Sequence, residues 1–304
     1  MYLVVEQLLN GLQFGLLLFL LAAGLTLVFG IMDFVNLAHG SLYMMGAYFA
    51  ATFVAWTGSF VLGALLALGA TLLLGVALEY VALRHLYGRD HLDQVLATFG
   101  LILFFNELVR IVWGPQPIFL SPPAWLAGTV EIIPGVPYPA FRLAIIGVGL
   151  AVAGFLYLLI TRTRTGMLIR AGASNREMLG ALGVDVKRLY TLVFGLGAAL
   201  AALAGAMAGP ILAVQVGMGE SVLILTFVVI VIGGLGSVRG ALVGALLVGM
   251  VDTMARALLP TLLRAVMPPS QADGVGASLA SMTIYILMAA VLAWKPRGLF
   301  PAHA

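Results

Sequence analysis

The chain has 304 residues, of which 62% are hydrophobic and 9% charged, with a mean hydropathy of +1.14 and a formal net charge of +3. A soluble domain is roughly half apolar and about a quarter charged, so this chain cannot present a solvated surface all round. The absence of cysteine removes disulfides, thiolate metal sites and cysteine nucleophiles, and the small net charge gives no reason to expect nucleic acid as a partner.

The apolar runs are long and continuous, unlike the short alternating segments of a β-barrel. The expected fold class is an all-α polytopic membrane protein. "MYLVVEQLLNGLQFGLLLFLLAAGL" lacks a basic leader and carries Glu6, so it reads as a first membrane helix rather than a cleaved signal peptide. A spanning helix needs about 20 mostly apolar residues. Nine segments qualify, at 5–31, 34–56, 59–83, 94–113, 141–160, 190–214, 220–236, 240–259 and 277–294. If the segment after "IMDFVN" is re-entrant or broken, the bundle has eight spans instead of nine and the N-terminus changes side.

The second segment, "VNLAHGSLYMMGAY", gathers Asn36, His39, Ser41 and Tyr43. Polar side chains in apolar segments face the bundle interior or a water-filled path. His39 has no second histidine or carboxylate at ligand spacing. That leaves a hydrogen-bonded packing residue at a helix break, or the lining of a pathway, ahead of a metal ligand or proton carrier.

Small residues recur every four positions in three places: Gly63, Ala67, Thr71 and Gly75; Gly197, Ala201, Gly205 and Gly209; and Gly236, Gly240 and Gly244. This spacing lets helix backbones approach closely. Glu79 has no partner at i+3 or i+4, so snorkelling toward the nearby interface is expected. Glu107 and Arg110, with Asn106 beside them, and Asp252 and Arg256 stand at ion-pair spacing on their helices. Pairing, or a gating or substrate role, are the readings.

Residues 114–140 hold seven prolines and no Lys or Arg. Proline blocks helix continuation, so this is expected to be an outside loop with a short hairpin. Residues 161–189 are the opposite: Arg162, Arg164, Arg170, Arg176, Lys187 and Arg188 crowd there. With Arg84, Arg89, Arg239, Lys295 and Arg297 they place eleven basic residues on one side. Arg110, Arg142, Arg256 and Arg264 leave four on the other. The excess marks the first side as cytoplasmic. With nine spans the C-terminus lies in the cytoplasm and the N-terminus outside. Trp56, Trp113 and Trp125 then fall near the outer boundary and Trp294 near the inner one, as interfacial anchors do.

Topology does not account for all of the 161–189 loop. Ser174 or Asn175 can N-cap a short helix, with Glu177 three residues after Ser174. Met178, Leu179 and Leu182 are read as one apolar face, with Gly180 and Gly183 beside it. That face needs cover from the bilayer, the protein's own body or a partner. "GGLGSVRGALVG" at 233–244 is a second break, with Gly233, Gly234, Gly236 and Ser237 suited to a turn or unwound piece.

There is no GxxxxGK[ST], HExxH or GxSxG, and His39, His85, His91 and His303 form no catalytic pair by spacing. The chain is not expected to be an enzyme or to hold a metal or cofactor. Transport, a channel or a scaffold remain.

Four stretches in order, "GIMDFVNLAHGSLYMMGAY", "RAGASNREMLGALGVDVKRLYTLVFGLGAALAALAG", "GGLGSVRGALVGALLVG" and "KPRGLF", resemble the high-affinity branched-chain amino acid ABC transporter permeases, nearest the shorter of that family's two permease subunits. The resemblance implies a single transmembrane permease domain over 1–304 in a bacterial inner membrane. It implies a homologous second permease, two cytoplasmic ATPase subunits that carry ATP and Mg, and a periplasmic substrate-binding protein. It also implies that 161–189 is a coupling loop docking on the ATPase through Ser174, Asn175, Arg176, Glu177, Leu179, Gly180 and Gly183. Related permeases of this family move urea, short amides or aromatic amino acids. An ion-gradient-driven transporter and a channel or membrane scaffold are the alternatives outside the family.

Overall fold

The computed structural model describes residues 2–133 and 136–300; His303 lies outside them. The chain is a helical bundle. In order it forms α1 (Tyr2–Met32), α2 (His39–Thr57), α3 (Phe60–Val81), a 3-10 turn (Leu83–Leu86), α4 (His91–Trp113), β1 (Thr129–Ile133), β2 (Val136–Pro139), α5 (Ala140–Arg162), α6 (Arg164–Ser174), α7 (Arg176–Ala181), α8 (Val186–Ala208), α9 (Met218–Gly233), α10 (Val238–Leu263) and α11 (Pro269–Trp294). Among the described residues, seven helices are long and apolar enough to cross a membrane: α1, α3, α4, α5, α8, α10 and α11. The two other expected spans are α2, with 19 residues, and α9, with 16. The second segment begins five residues later than its apolar run, at His39, because Asp33 turns the chain with a φ of +49°.

Helix ends follow local chemistry. Gly58, at φ +67°, closes α2 by donating its N–H to the Val54 carbonyl, and the next residue, Ser59, caps α3 through Leu62 N–H. The proline-rich segment holds the expected hairpin, with β1 antiparallel to β2, and it is tied to the 209–217 loop by a bridge between Ile118 and Val214.

Burial sorts the helices into a centre and a rim. Most of α1, α2 and α8 is buried, whereas α4 and α11 expose most of their side chains and α5 leaves most of its own at least partly exposed. A helix apolar all round belongs in the core or in lipid, and this bundle has both kinds. The small-residue ladders lie at the central contacts. A Cβ on Gly24 would stand 2.8 Å from the Gly197 carbonyl oxygen, and one on Gly205 would overlap the Tyr43 carbonyl. Gly233 and Gly240 press backbone to backbone, as do Gly15 and Gly249.

Contacts sort the loops into two ends. At one, Tyr138 Oη and Arg142 reach Asn10. At the other, Tyr190 Oη reaches the Ile31 carbonyl and Arg84 reaches Thr191. The second end carries α6, α7 and the C-terminal tail. Trp56, Trp125 and Trp294 are exposed, as anchors are. Trp113 is not: it is half-buried, donates to Thr52 Oγ1 at 2.8 Å and packs on Tyr48.

Candidate functional site

The loop from Thr161 to Leu189 is two short helices in series. Thr163 caps α6 through Gly166 N–H, Asn175 caps α7 through Met178 N–H at 2.9 Å, and Asp185 caps α8 through Arg188 N–H. Of the two expected caps it is Asn175 that serves α7; Ser174 ends α6, so the Ser174–Glu177 capping box does not form. Gly183, at φ +84°, ends α7 by donating to the Gly180 carbonyl, and Val184 N–H reaches back to Leu179 O.

The expectation of one apolar face over Met178, Leu179 and Leu182 is corrected. Leu179 is 4% exposed, while Met178 and Leu182 are 57% and 74% exposed. Positions 178 and 182 are one helical turn apart and share a face; position 179 is rotated about 100° from 178. Leu179 therefore turns into the protein. It lies in one buried cluster with Leu189 of α8 and Ile31 of α1, and all three border Gly172, whose Cβ, if present, would lie 3.4–3.6 Å from each. Ser174, Asn175, Arg176, Glu177, Gly180 and Gly183 are exposed.

Ser174 to Glu177 border an open cavity of about 540 Å³, whose far wall is Asp33 from the first break and Gly236 from the second. A larger cavity of about 820 Å³ adjoins it and reaches Ser237, Arg239 and Phe300. Thus α7, both helix breaks and the tail meet at one place. Gly30 of α1 is against Gly236: a Cβ on it would lie 3.0 Å from Gly236 Cα.

The second break is built as a turn. Gly234 and Gly236 have φ of +108° and +77°, and Ser237 caps α10 by accepting Gly240 N–H at 3.1 Å. The tail seats on it. Leu299 N–H donates to Ile232 O and Phe300 N–H to Gly233 O, both at 2.9 Å. These carbonyls end α9 and would otherwise have no partner in the helix.

The first break's polar residues lie deeper. His39 is fully buried, with Nε2 3.2 Å from the Leu21 carbonyl, a hydrogen-bonded residue at a helix start. Among the described residues no three metal-ligating side chains gather. Asn36 and Tyr43 are also fully buried or nearly so, and Asn36 Oδ1 and Nδ2, Tyr43 Oη and His39 Nδ1 have no protein partner. Ser41 borders a narrow cleft with Asn106 and Glu220, which are hydrogen-bonded to each other.

Two ionic features escaped the sequence. Glu79 does not snorkel: it is completely buried and accepts from Arg84 Nη2 at 3.1 Å, Tyr87 Oη at 2.8 Å and Thr191 Oγ1 at 2.8 Å. Burial, and then Glu79, hold the Tyr87 phenol far above its ordinary pKa, so it stays a donor. Asn106 pairs with Glu220 rather than with Arg110. Thr191 and Glu220 are 112 and 114 residues from their partners, and no local spacing announces such pairs. The expected pairs Glu107–Arg110 and Asp252–Arg256 form, each at 2.9 Å.

The chain matches the family described as "Branched-chain amino acid transport system / permease component" over residues 7–292. It is 31% identical to the high-affinity branched-chain amino acid transport system permease protein BraD of Pseudomonas aeruginosa, covering 98% of this chain and 96% of the relative. It is 29% identical to the permease protein LivH of Salmonella typhimurium, covering 84% and 87%. No solved structure matches. With that match over nearly its whole length, this multi-pass membrane chain belongs to the branched-chain amino acid transport permease family.

Proposed function

We propose that this chain is one of two permease subunits of an ATP-driven importer and forms, with a homologous partner, the path for branched-chain or related amino acids. The substrate class follows the names of BraD and LivH. Two ATPase subunits carrying ATP and Mg would act at the end that holds α7. A binding protein would deliver the ligand at the end that holds the β1–β2 hairpin. The excess of basic residues at the α7 end supports an orientation with that end, and the C-terminus, in the cytoplasm and the N-terminus outside an inner membrane.

The observation that carries the reading is the seating of α7. One side is anchored through Leu179 to α1 and α8; the other leaves Met178 and Leu182 bare beside Glu177. A helix held this way can take an apolar push from outside and pass it to both helix breaks. Leu179 then transmits, and Ser174, Asn175, Arg176, Glu177, Gly180 and Gly183 contact the motor or shape the contact. ATP-driven closure of the motor would shift α7 and alternate the access of the path. Asn36 and Tyr43, polar and unpartnered at depth, suit the lining of that path, with His39 and Ser41 beside them and Gly233, Gly234, Gly236 and Ser237 as its hinge.

The test is co-purification from the native host in mild detergent, with bound proteins identified by mass spectrometry. Two ATPase chains and a homologous permease are expected. Glu177→Ala should reduce ATPase recovery or release its hydrolysis from substrate control. Recovery without any ATPase after cross-linking would overturn the reading.

A further inference from the structure

A groove on the bundle's flank lies outside the transport junction. It forms where α5 stands away from the packed pair α3 and α8, and it encloses about 860 Å³, within the size of small-molecule sites. Its walls are apolar, from Leu72 and Val76 of α3, Phe155 of α5 and Leu192 of α8. Phe155 and Leu192 are about half exposed, so the groove opens sideways, toward the bilayer. At the α7 end the lining changes to Arg84, Lys187 and Arg188.

The basic residues at this mouth do not serve their own helix. Lys187 and Arg188 occupy the first turn of α8, where the helix dipole disfavours cations and favours an anion. Arg84 is held by Glu79 at 3.1 Å and Arg188 by Asp185 at 2.9 Å. Lys187 has no carboxylate within ion-pair distance among the described residues. With Glu79 and Asp185 counted against the three cations, the mouth keeps one net positive charge. It sits where α3 ends and α8 begins, at the depth of the bilayer boundary, where basic side chains meet lipid headgroups.

We propose that this groove binds an anionic phospholipid from the leaflet on the α7 side, its acyl chain along the Leu72–Phe155–Leu192 walls and its phosphate at Lys187. Only the choice of leaflet rests on the orientation proposed above; binding does not.

The test places the full chain in nanodiscs of phosphatidylcholine with a minor fraction of phosphatidylglycerol on both faces, and reads retained lipid by native mass spectrometry. The wild-type chain is expected to retain phosphatidylglycerol in preference to phosphatidylcholine. Lys187→Glu, at an exposed position, should lower that preference about tenfold. Leu192→Trp should reduce retention of both lipids by filling the apolar wall. Equal retention of the two lipids by the wild-type chain, or no change in Lys187→Glu, overturns the proposal. Because the chain has no cysteine, Leu192→Cys supplies an independent arm in the transporter complex. Labelling by a bilayer-soluble maleimide supports an open lipid groove; cross-linking to a partner subunit shows a protein-covered interface and overturns it.

Discussion

Leu299 donates its backbone N–H to the carbonyl of Ile232 at 2.9 Å, across 67 positions of sequence. With Phe300 to Gly233 beside it, the tail finishes α9 where the glycine turn interrupts it. The approach is close because Gly298, at φ +81°, has no side chain: a Cβ would lie 2.6 Å from Gly234 Cα and N.

Gly298→Val is therefore expected to lift the tail from the turn, through both the left-handed backbone and the overlap. A destabilisation of about 1–3 kcal/mol follows, read as a lower midpoint of thermal unfolding in detergent. Gly274→Ala, with nothing within 4 Å of its Cβ, should leave the midpoint within the range of surface changes.

Glu79 gives a second prediction. Arg84→Ala leaves a fully buried carboxylate without its cation, the costly way to break such a pair. Glu79→Ala strips the acceptor from Tyr87 and Thr191, at a cost of about 2–4 kcal/mol. The joint replacement Glu79→Leu with Arg84→Leu should be less harmful than Arg84→Ala alone, because no unpaired charge remains. A midpoint for the double variant below that of Arg84→Ala would contradict the pairing.

The small-residue contacts predict a third result. Gly205→Ala pushes a methyl into the Tyr43 carbonyl and to within 2.9 Å of Ala47 N, forcing α2 from α8 at about 1–3 kcal/mol. Gly100→Ala on α4 meets open space and should not destabilise. Thermal unfolding of the two variants side by side decides it.

These sites differ in how far the sequence disclosed them. The spans, the hairpin and the Gly205 ladder depend on run length, proline content and four-residue spacing, all local signals. Seven of the nine expected spans are long and apolar helices, and the other two are α2 and α9. The Glu79 network and the tail contact depend on which elements lie side by side: Thr191 stands 112 positions from Glu79, and Arg84 and Tyr87, though near in the chain, reach it from outside α3 rather than at i+3 or i+4, while Leu299 is far from Ile232 in sequence. The face of α7 failed for a different reason. In a helix of six residues the apolar positions do not define a side, and which leucine turns in depends on where α1 and α8 lie, with Leu179 buried in one cluster with Ile31 and Leu189.

That distinction supplies the last prediction. Leu179→Ala removes a side chain buried in the cluster that joins α7 to α1 and α8, so it should cost about 2–4 kcal/mol and weaken coupling as a consequence. Met178→Ala and Leu182→Ala remove exposed side chains and should change stability by less than about 0.5 kcal/mol. If α7 is the contact for a motor subunit, these two should nevertheless lower ATPase recovery and substrate-stimulated hydrolysis, with ligand capture by the binding protein untouched. Measuring unfolding midpoints and ATPase recovery on the same three variants separates the roles. A Met178→Ala, Leu182→Ala double variant with wild-type recovery would mean that the bare face of α7 meets lipid or water instead of a motor.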